Sequence, residues 1–252
     1  MNKHLGEILK WLEEYKTEKG CRGVVLGISG GKDSTTVAML AKKIWGDNVL
    51  GVLMPNGVQA DLDDSRAICE YLKIRNITVN IGNTFGTLCD EINRQLADQG
   101  AEITPKTKTN VPPRLRMTTL YAIAQSIGYR VIGTGNASEA FVGWTTKFGD
   151  SACDFNPIRW ITCTEVRNIG AELAEEFGLP MKYIQKAPSD GLSGKTDEDN
   201  FGFTYDELDE YITKGPLNDE EVNAKIDQMH KYAAHKTTMP YSYFPDDPAG
   251  CW

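Results

Sequence analysis

The chain of 252 residues lacks the features that mark membrane, secreted or zinc-ribbon proteins. No apolar run approaches the roughly 20 residues that cross a bilayer, and the segment 1–4 leads into an acidic amphipathic stretch rather than a signal-peptide core. Its six cysteines include no Cys-x-x-Cys pair, which argues against a zinc ribbon and against a disulfide framework. We therefore expect a cytoplasmic protein.

Positive charge is also scarce, with 27 Lys and Arg residues against 35 Asp and Glu residues and a formal net charge of -8. An extended nucleic-acid-binding surface is therefore not expected. The hydrophobic fraction of 40% allows a substantial core, and the length suits one large domain.

Apolar stretches that predict strands alternate with stretches of helical periodicity in the first part of the chain. The predicted strands are 23–28, 48–53, 75–81 and 129–134, and the predicted helices are 5–15, 33–45, 63–72 and 84–99. The alternation predicts an α/β fold with a doubly wound, mostly parallel sheet flanked by helices. We expect this sheet to have five strands. Ligands bind such sheets at the carboxyl ends of the strands.

Later segments carry helix-start signals and one loop. Asn110 is predicted to cap a helix whose first turn holds two prolines. Thr162 with Glu165, and Thr204 with Glu207, have capping-box spacing. The segment 187–201 is polar and contains glycine, which is typical of a lid or a disordered loop, and a last helix is predicted over 218–234.

The most informative segment is 27–34, Gly-Ile-Ser-Gly-Gly-Lys-Asp-Ser, between a predicted strand and a helix. Adjacent glycines let backbone N–H groups approach a ligand, and the helix N-terminus behind them favours an anion. The Walker pattern Gly-x-x-x-x-Gly-Lys-Ser/Thr is absent. A tight turn before a helix capped by Asp33 or Ser34 is the alternative, but it does not account for paired glycines between two serines.

Two arginines, Arg114 and Arg116, fall in the predicted first turn of the helix capped by Asn110. Cations there oppose the helix dipole, so local helix stability does not explain them. An anionic ligand between them would explain their position, and two solvated arginines are the alternative.

A second strand-turn-helix segment places Thr134 at a strand end and Glu139 about one turn into the next helix. Magnesium beside phosphates prefers one or two carboxylates, which Asp33 and Glu139 would supply. For Glu139 alone, a glutamate favoured by the helix dipole is the simpler alternative.

Ser-Gly-Gly-x-Asp-Ser resembles the pyrophosphate loop of ATP pyrophosphatases, and the chain as a whole resembles the ammonia-dependent NAD synthetases. The matching segments are 29–34, 114–121, 133–139, 146–150, 186–189, 202–209 and 235–236. The resemblance implies a fold of the adenine nucleotide alpha hydrolase type. It also implies a single domain over 1–252, with a core sheet in 1–143 and substrate loops, lid and C-terminal helices in 144–252.

The same resemblance implies the ligands of the site. Residues that would bind ATP are Gly27, Ile28, Ser29, Gly30, Gly31, Lys32, Asp33, Ser34, Thr134 and Ser189. Asp33 and Glu139 would bind Mg²⁺. Residues that would contact the second substrate, nicotinic acid adenine dinucleotide, are Arg114, Lys147, Asp154, His235 and Lys236. The family is a homodimer, and the helices after Asn110 are candidates for its interface.

The implied reaction is an ATP-dependent amidation by ammonia that passes through an acyl adenylate, with no protein nucleophile. The chain has no glutaminase domain, so free ammonia is the expected nitrogen source. The alternatives are another pyrophosphate-loop ligase, such as a GMP synthetase-like or tRNA-modifying enzyme, and a nucleotide-binding sensor without chemistry.

The chain departs from the family in three respects. Cys163 stands where the family often has a lysine that contacts ATP, and Lys32 occupies a loop position that is often uncharged. Gly135-Asn136 stands where many bacterial members have Asp-His.

Overall fold

A computed structural model describes residues 2–58, 62–186, 196–238 and 240. Its sheet contains β1 (Val24–Gly27), β2 (Val49–Leu53), β3 (Arg75–Thr78) and β4 (Arg130–Val131). All pairs are parallel, in the order β3-β2-β1-β4. The chain moves outward from β1 to β3 and then returns to the other side of β1. This reversal creates a ligand-binding crevice at the carboxyl ends of β1 and β4.

The sheet has four strands in the described residues rather than the five expected from the sequence. The chain does return beside β4, where Ile132 forms an isolated parallel bridge with Phe155. Backbone hydrogen bonds from Asp154 to Val131 and from Gly133 to Phe155 flank this bridge. Pro157 follows two residues later and has no N–H to continue a ladder, so the pairing stops short of a fifth strand.

Eleven helices lie in the described residues. They are α1 (Lys3–Glu18), α2 (Lys32–Trp45), α3 (Leu62–Tyr71), α4 (Gly82–Ala97), α5 (Pro105–Ile127), α6 (Ala137–Val142), α7 (Cys163–Phe177), α8 (Lys182–Gln185), α9 (Asp197–Phe201), α10 (Tyr205–Lys214) and α11 (Glu220–Thr237). Within the described ranges, no helix is both long and apolar enough to cross a bilayer.

Alternate residues of β1 enter two different apolar layers. Val24 and Leu26 join the larger core, to which α1, α2 and α7 also contribute. Val25 joins a second cluster that includes Ala124 of α5. Because successive side chains of a strand point to opposite faces, the centre of the sheet at β1 is buried on both sides, which confirms the doubly wound α/β arrangement.

The helix predicted to begin at Asn110 begins earlier. Thr104 caps α5 by accepting a hydrogen bond from the Thr107 N–H at 3.2 Å, and Pro105 takes the first helical position. This Thr-Pro pair is a complete start signal that precedes Asn110, which lies inside the helix. The two arginines downstream are therefore not in the first turn, and the helix-dipole argument for them was wrong.

Two further start signals had different outcomes. The Thr204–Glu207 capping box is confirmed at α10. Thr162 stands at the N-cap of α7 but its side chain accepts no hydrogen bond there. The serine hydroxyl of Ser138 accepts from the Cys163 N–H at 2.8 Å instead, so a neighbouring helix satisfies the first turn of α7.

The predicted lid, 187–201, is described only at its end. Residues 187–195, and Ser189 with them, lie outside the described residues. Thr196 caps α9 in a capping box with Asp199, so the last part of this segment is helical rather than a loop.

Candidate nucleotide-binding site

The loop between β1 and α2 closes on itself through its serines. Gly30 has a φ of 84°, a left-handed conformation that a glycine adopts without strain. The Ser29 hydroxyl accepts from the Gly31 N–H at 3.2 Å and lies 3.0 Å from the Ser34 hydroxyl. Gly31 is the N-cap of α2 and no side chain caps it. The first N–H groups of α2 therefore remain available to an anion, and Asp33 is not a helix cap.

A cleft of about 660 Å³ lies over the strand ends at this loop. Its walls are the glycine loop, the ends of β2 and β4, one side of α5 and the segment 143–150. The predicted ATP-binding residues that line it are Gly27, Ile28, Ser29, Gly31, Lys32, Asp33, Ser34 and Thr134. The cleft therefore occupies the strand-order reversal at which such sheets bind ligands.

Asp33 and Glu139, the predicted magnesium ligands, meet across Asn136. The Asn136 side-chain amide donates to Asp33 Oδ1 at 3.1 Å, and the Asn136 backbone N–H donates to Glu139 Oε2 at 3.1 Å. Burial and then the charge of Asp33 raise the pKa of Glu139 to about 8. Because a divalent cation would relieve the repulsion between two such carboxylates, the pair fits Mg²⁺.

The pair alone does not make a closed metal cage. Among the described residues, no group of three or more His, Cys, Asp or Glu side chains is placed to hold a metal ion. Magnesium commonly keeps one or two carboxylates and takes its remaining ligands from phosphates and water. The donor set therefore suits a metal that binds together with ATP.

Lys32 is buried, with only 2% of the residue exposed. Its ammonium group donates to Asp33 Oδ2 at 2.7 Å and lies 5.5 Å from the centre of the Tyr205 ring. Burial alone would lower the pKa of Lys32, but the nearby anionic groups, Asp33 foremost, raise it above its ordinary value.

Lys32 also lies near Cys163, the position at which a family lysine is replaced. Burial raises the pKa of the Cys163 thiol to about 12, although the charge of Lys32 acts to lower it, so Cys163 is neutral. The positive charge beside α7 thus comes from Lys32.

Four of the five predicted substrate contacts lie in one group. Arg114 Nε donates to the carbonyl oxygen of Lys147 at 3.3 Å, and Lys147 Nζ donates to the carbonyl oxygen of His235 at 2.6 Å. Lys236 Nζ donates to the carbonyl oxygens of Gly143 at 2.7 Å and Thr145 at 2.9 Å. Of these four predicted residues, Lys236 lines the cleft.

Asp154, the fifth predicted contact, lies apart from this group. Its Oδ2 accepts from the Val131 N–H of β4 at 2.7 Å, and its own N–H donates to the Val131 carbonyl. In this structure its carboxylate holds the short fifth-strand pairing in place.

Sequence reasoning did not assign Asn136 to the site. An Asn followed three residues later by Glu139 is a capping-box pattern, and the box is present at α6. The capping box can be predicted from the sequence, but the contact of Asn136 with Asp33, 103 residues away along the chain, cannot. Asp150 was also missed; it lines the cleft and accepts from the Thr146 N–H at 2.8 Å.

Comparison with known proteins agrees with this geometry. A family model for NAD synthase matches residues 4–240. An NH3-dependent NAD+ synthetase from Carboxydothermus hydrogenoformans is 38% identical over 236 residues, which cover 93% of this chain and 94% of that protein. Its counterpart from Finegoldia magna is 36% identical over 241 residues, or 94% of each chain.

Solved structures give the same result. An NMN synthetase from Francisella tularensis superposes with a TM-score of 0.83 at 32% identity, covering 97% of this chain and 98% of that one. The NH3-dependent NAD synthetase from Campylobacter jejuni superposes with a TM-score of 0.71 at 28% identity, covering 97% and 100%. With a glycine loop, a carboxylate pair and a family match over residues 4–240 in agreement, this chain belongs to the NAD synthase family.

Proposed function

We propose that this protein is a ligase that amidates nicotinic acid adenine dinucleotide with ammonia to give NAD, at the expense of ATP. The observation that carries the proposal is the uncapped glycine loop at the strand-order reversal, with Asp33 and Glu139 facing each other beside it. Relatives named NH3-dependent NAD+ synthetases have nearly the same length as this chain, which supports free ammonia as the nitrogen source.

The chemistry proceeds in two balanced steps. A nicotinate carboxylate oxygen attacks the α-phosphorus of ATP, the bond to the β-phosphate oxygen breaks, and pyrophosphate leaves. The nitrogen lone pair of ammonia then attacks the activated carbonyl, AMP leaves with the carbon–oxygen bonding pair, and the nitrogen loses a proton. No protein nucleophile is required, so the protein acts by positioning the reactants and stabilising charge.

Several residues of this chain take defined roles in this proposal. The unpaired N–H groups at the start of α2 receive the phosphates of ATP, and Thr134 contacts ATP from the β4 side. Asp33 and Glu139 hold Mg²⁺, which when bound supplies positive charge to the phosphates. The acid substrate is contacted by Arg114, Lys147, His235 and Lys236. Asp154 is a further proposed contact of this substrate, and Ser189 is a proposed contact of ATP.

Product formation tests the proposal directly. The protein is incubated with Mg²⁺, ATP and ammonium, and with nicotinic acid adenine dinucleotide, xanthosine monophosphate or bulk tRNA as the acceptor. We expect NAD and equimolar AMP with the first acceptor, and no ATP consumption with the other two. ATP consumption with xanthosine monophosphate or tRNA alone would instead support the rival ligase classes.

The metal assignment has its own test in the same assay. Asp33→Asn and Glu139→Gln keep the size of each side chain but remove its charge. We expect both variants to fold, Asp33→Asn with lower stability because it leaves Lys32 without its ion-pair partner. Both should lose at least a hundred-fold in Mg²⁺-dependent pyrophosphate release, the order of effect of losing one electrostatic contact at a reacting centre. Near-parental turnover by either variant would remove that residue from the metal site.

A second candidate function is the amidation of nicotinic acid mononucleotide to NMN. The superposition on the Francisella tularensis NMN synthetase, at a TM-score of 0.83, exceeds the 0.71 obtained for the Campylobacter jejuni NAD synthetase. Both candidates share the same nicotinate chemistry and differ in the adenylate half of the acceptor. The two acids compared at equal concentration decide between them, since the preferred one has the larger kcat/KM.

We also propose that the protein is a single-domain homodimer of the cytoplasm. The five cysteines within the described ranges are free thiols, as expected in a reducing compartment. In α4 only Cys89 is buried, and in α5 only Val111, Pro112 and Ala124 are buried. Every residue of the edge strand β3 is exposed. A second copy packed on this poorly covered side would bury it.

A further inference from the structure

Arg116 lies on the side of α5 that faces the cleft. Arg114, two residues earlier, is exposed, since residues two apart lie on different sides of a helix. Arg116 Nε donates to the carbonyl oxygen of Met54 at 3.1 Å, just beyond the end of β2. This hydrogen bond holds the guanidinium group over the strand ends, where ligands of such sheets bind.

The guanidinium group of Arg116 is held in place, but its charge is not neutralised by a carboxylate. Within the part of the chain that the structure describes, no carboxylate forms an ion pair with it, and its hydrogen-bond partner is a neutral carbonyl. Burial lowers the pKa of Arg116, and the charge of Asp150 offsets this only in part. Asp150 itself accepts hydrogen bonds from the Thr146 N–H and the Thr145 hydroxyl.

Two other cations of the cleft do have a carboxylate partner, whereas Lys236, like Arg116, donates to backbone carbonyl oxygens. Lys32 pairs with Asp33 at 2.7 Å, and Lys186 pairs with Asp64 at 3.0 Å. A charge held away from water without an opposite charge costs free energy, and such groups concentrate at functional sites. Folding therefore leaves the charge of Arg116 directed at the cleft and open to an anion that enters it.

We propose that Arg116 binds an oxyanion of a substrate in the cleft, an inference that rests on the proposed function. With Nε bound to Met54, the two terminal nitrogens remain, and a guanidinium group binds phosphate or carboxylate oxygens in pairs. ATP and nicotinic acid adenine dinucleotide both bring phosphates, and the latter also brings a carboxylate. The shared chemistry is an oxyanion, and binding to each substrate separately identifies its source.

The test uses the full chain and equilibrium binding measured by calorimetry, without turnover. Arg116→Gln removes the charge, and Arg116→Lys keeps it without the planar fork. Arg22→Gln is the matched control, because Arg22 is exposed and precedes the other end of β1. The probes are ATP with Mg²⁺ and nicotinic acid adenine dinucleotide, each alone. Thermal unfolding of every variant shows whether it is folded.

We expect Arg116→Gln to weaken the binding of one probe by about ten- to a hundred-fold, the range for loss of a charge-assisted hydrogen bond. Arg116→Lys should weaken it less, and Arg22→Gln should leave it within twofold of the parent. Weaker ATP binding identifies a phosphate of ATP, and weaker binding of the other probe identifies an oxyanion of the acid.

Unchanged affinity of folded Arg116→Gln for both probes overturns the inference and leaves Arg116 a structural link to Met54. Should that variant not fold, Arg116→Lys decides, and affinities within twofold of the parent for both probes overturn it. The proposed function fails differently, since then the parent itself forms neither NAD nor NMN from the two acids, whatever the affinities of the Arg116 variants.

Discussion

Lys32 shows how one residue links the glycine loop to the helices behind it. Its side chain leaves the first turn of α2, passes inward, donates to Asp33 and lies over the face of Tyr205, near the Cys163 thiol. A buried ion pair of this kind is costly to break, because removal of one partner leaves the other charge uncompensated. Lys32 therefore has a structural role in addition to any contact with ATP.

We predict that Lys32→Met destabilises the protein by about 3 kcal/mol, measured by urea unfolding. The matched control is Lys42→Met on the same helix, where the ion pair with Asp47 is 3.0 Å long but the Asp47 side chain is 96% exposed. We expect less than about 1 kcal/mol from that change. Equal losses in the two variants would show that the Lys32–Asp33 contact is no stronger than a surface pair.

At the scale of single elements, the N-caps of α10 and α7 differ in where their hydrogen-bond partners lie. The cap of α10 is formed by neighbouring residues of the sequence, and that of α7 depends on a distant residue. The Thr204 hydroxyl accepts from the Glu207 N–H at 3.2 Å, and the Thr204 N–H donates to the Glu207 carboxylate at 2.7 Å. The Thr162 side chain makes no such bond, although Glu165 has the same spacing. Glu165 accepts instead from the side chain of Asn2.

The two threonines therefore form a matched pair for alanine substitution. We predict that Thr204→Ala lowers the free energy of unfolding by about 1 kcal/mol, because it leaves the Glu207 N–H without its acceptor. Thr162→Ala should cost no more than about 0.5 kcal/mol, the usual range for a substitution that breaks no specific contact. Urea unfolding of both variants provides the comparison, and a larger loss at Thr162 would contradict the cap geometry.

These helix starts explain how far the sequence alone predicts the fold. The loop at 27–34, the parallel strands and the helices between them follow from local signals: apolar runs, paired glycines and helical periodicity. The start of α5 was misplaced because two valid start signals, at Thr104 and at Asn110, compete within one segment. The start of α7 at Thr162 was predicted, but its cap was not, because the hydrogen-bond acceptor, Ser138, lies 25 residues away and belongs to another helix.

The site residues, likewise, could be brought together from the sequence only where they are neighbours along the chain. Residues of the glycine loop share one turn, so their convergence follows from their spacing. The contact of Lys147 with His235 spans 88 residues and depends on how α11 packs against α6. The isolation of Asp154 depends on its hydrogen bond to β4. No local sequence pattern predicts either arrangement. Only the structure therefore shows which of the predicted residues line the cleft and which lie beside it.

At the scale of the whole molecule, one side of the sheet remains thinly covered. The apolar residues of α4 recur three or four positions apart, as a helix face requires, and they are Phe85, Leu88, Ile92 and Leu96. Leu88 is 39% exposed, and Ile77 of the edge strand β3 is 40% exposed. An edge strand whose side chains are all exposed is a site of unwanted pairing unless something covers it.

We predict that the protein sediments as a dimer at micromolar concentration and that Leu88→Glu shifts it toward the monomer by at least tenfold in dissociation constant. Burying that carboxylate in an apolar interface without a partner would oppose association. Tyr232→Glu is the matched control, because Tyr232 is 70% exposed and belongs to another helix, α11, so the change should leave the dimer unchanged. A monomeric parent would refute the dimer. A dimer that resists Leu88→Glu but yields to Tyr232→Glu would move the interface to α11.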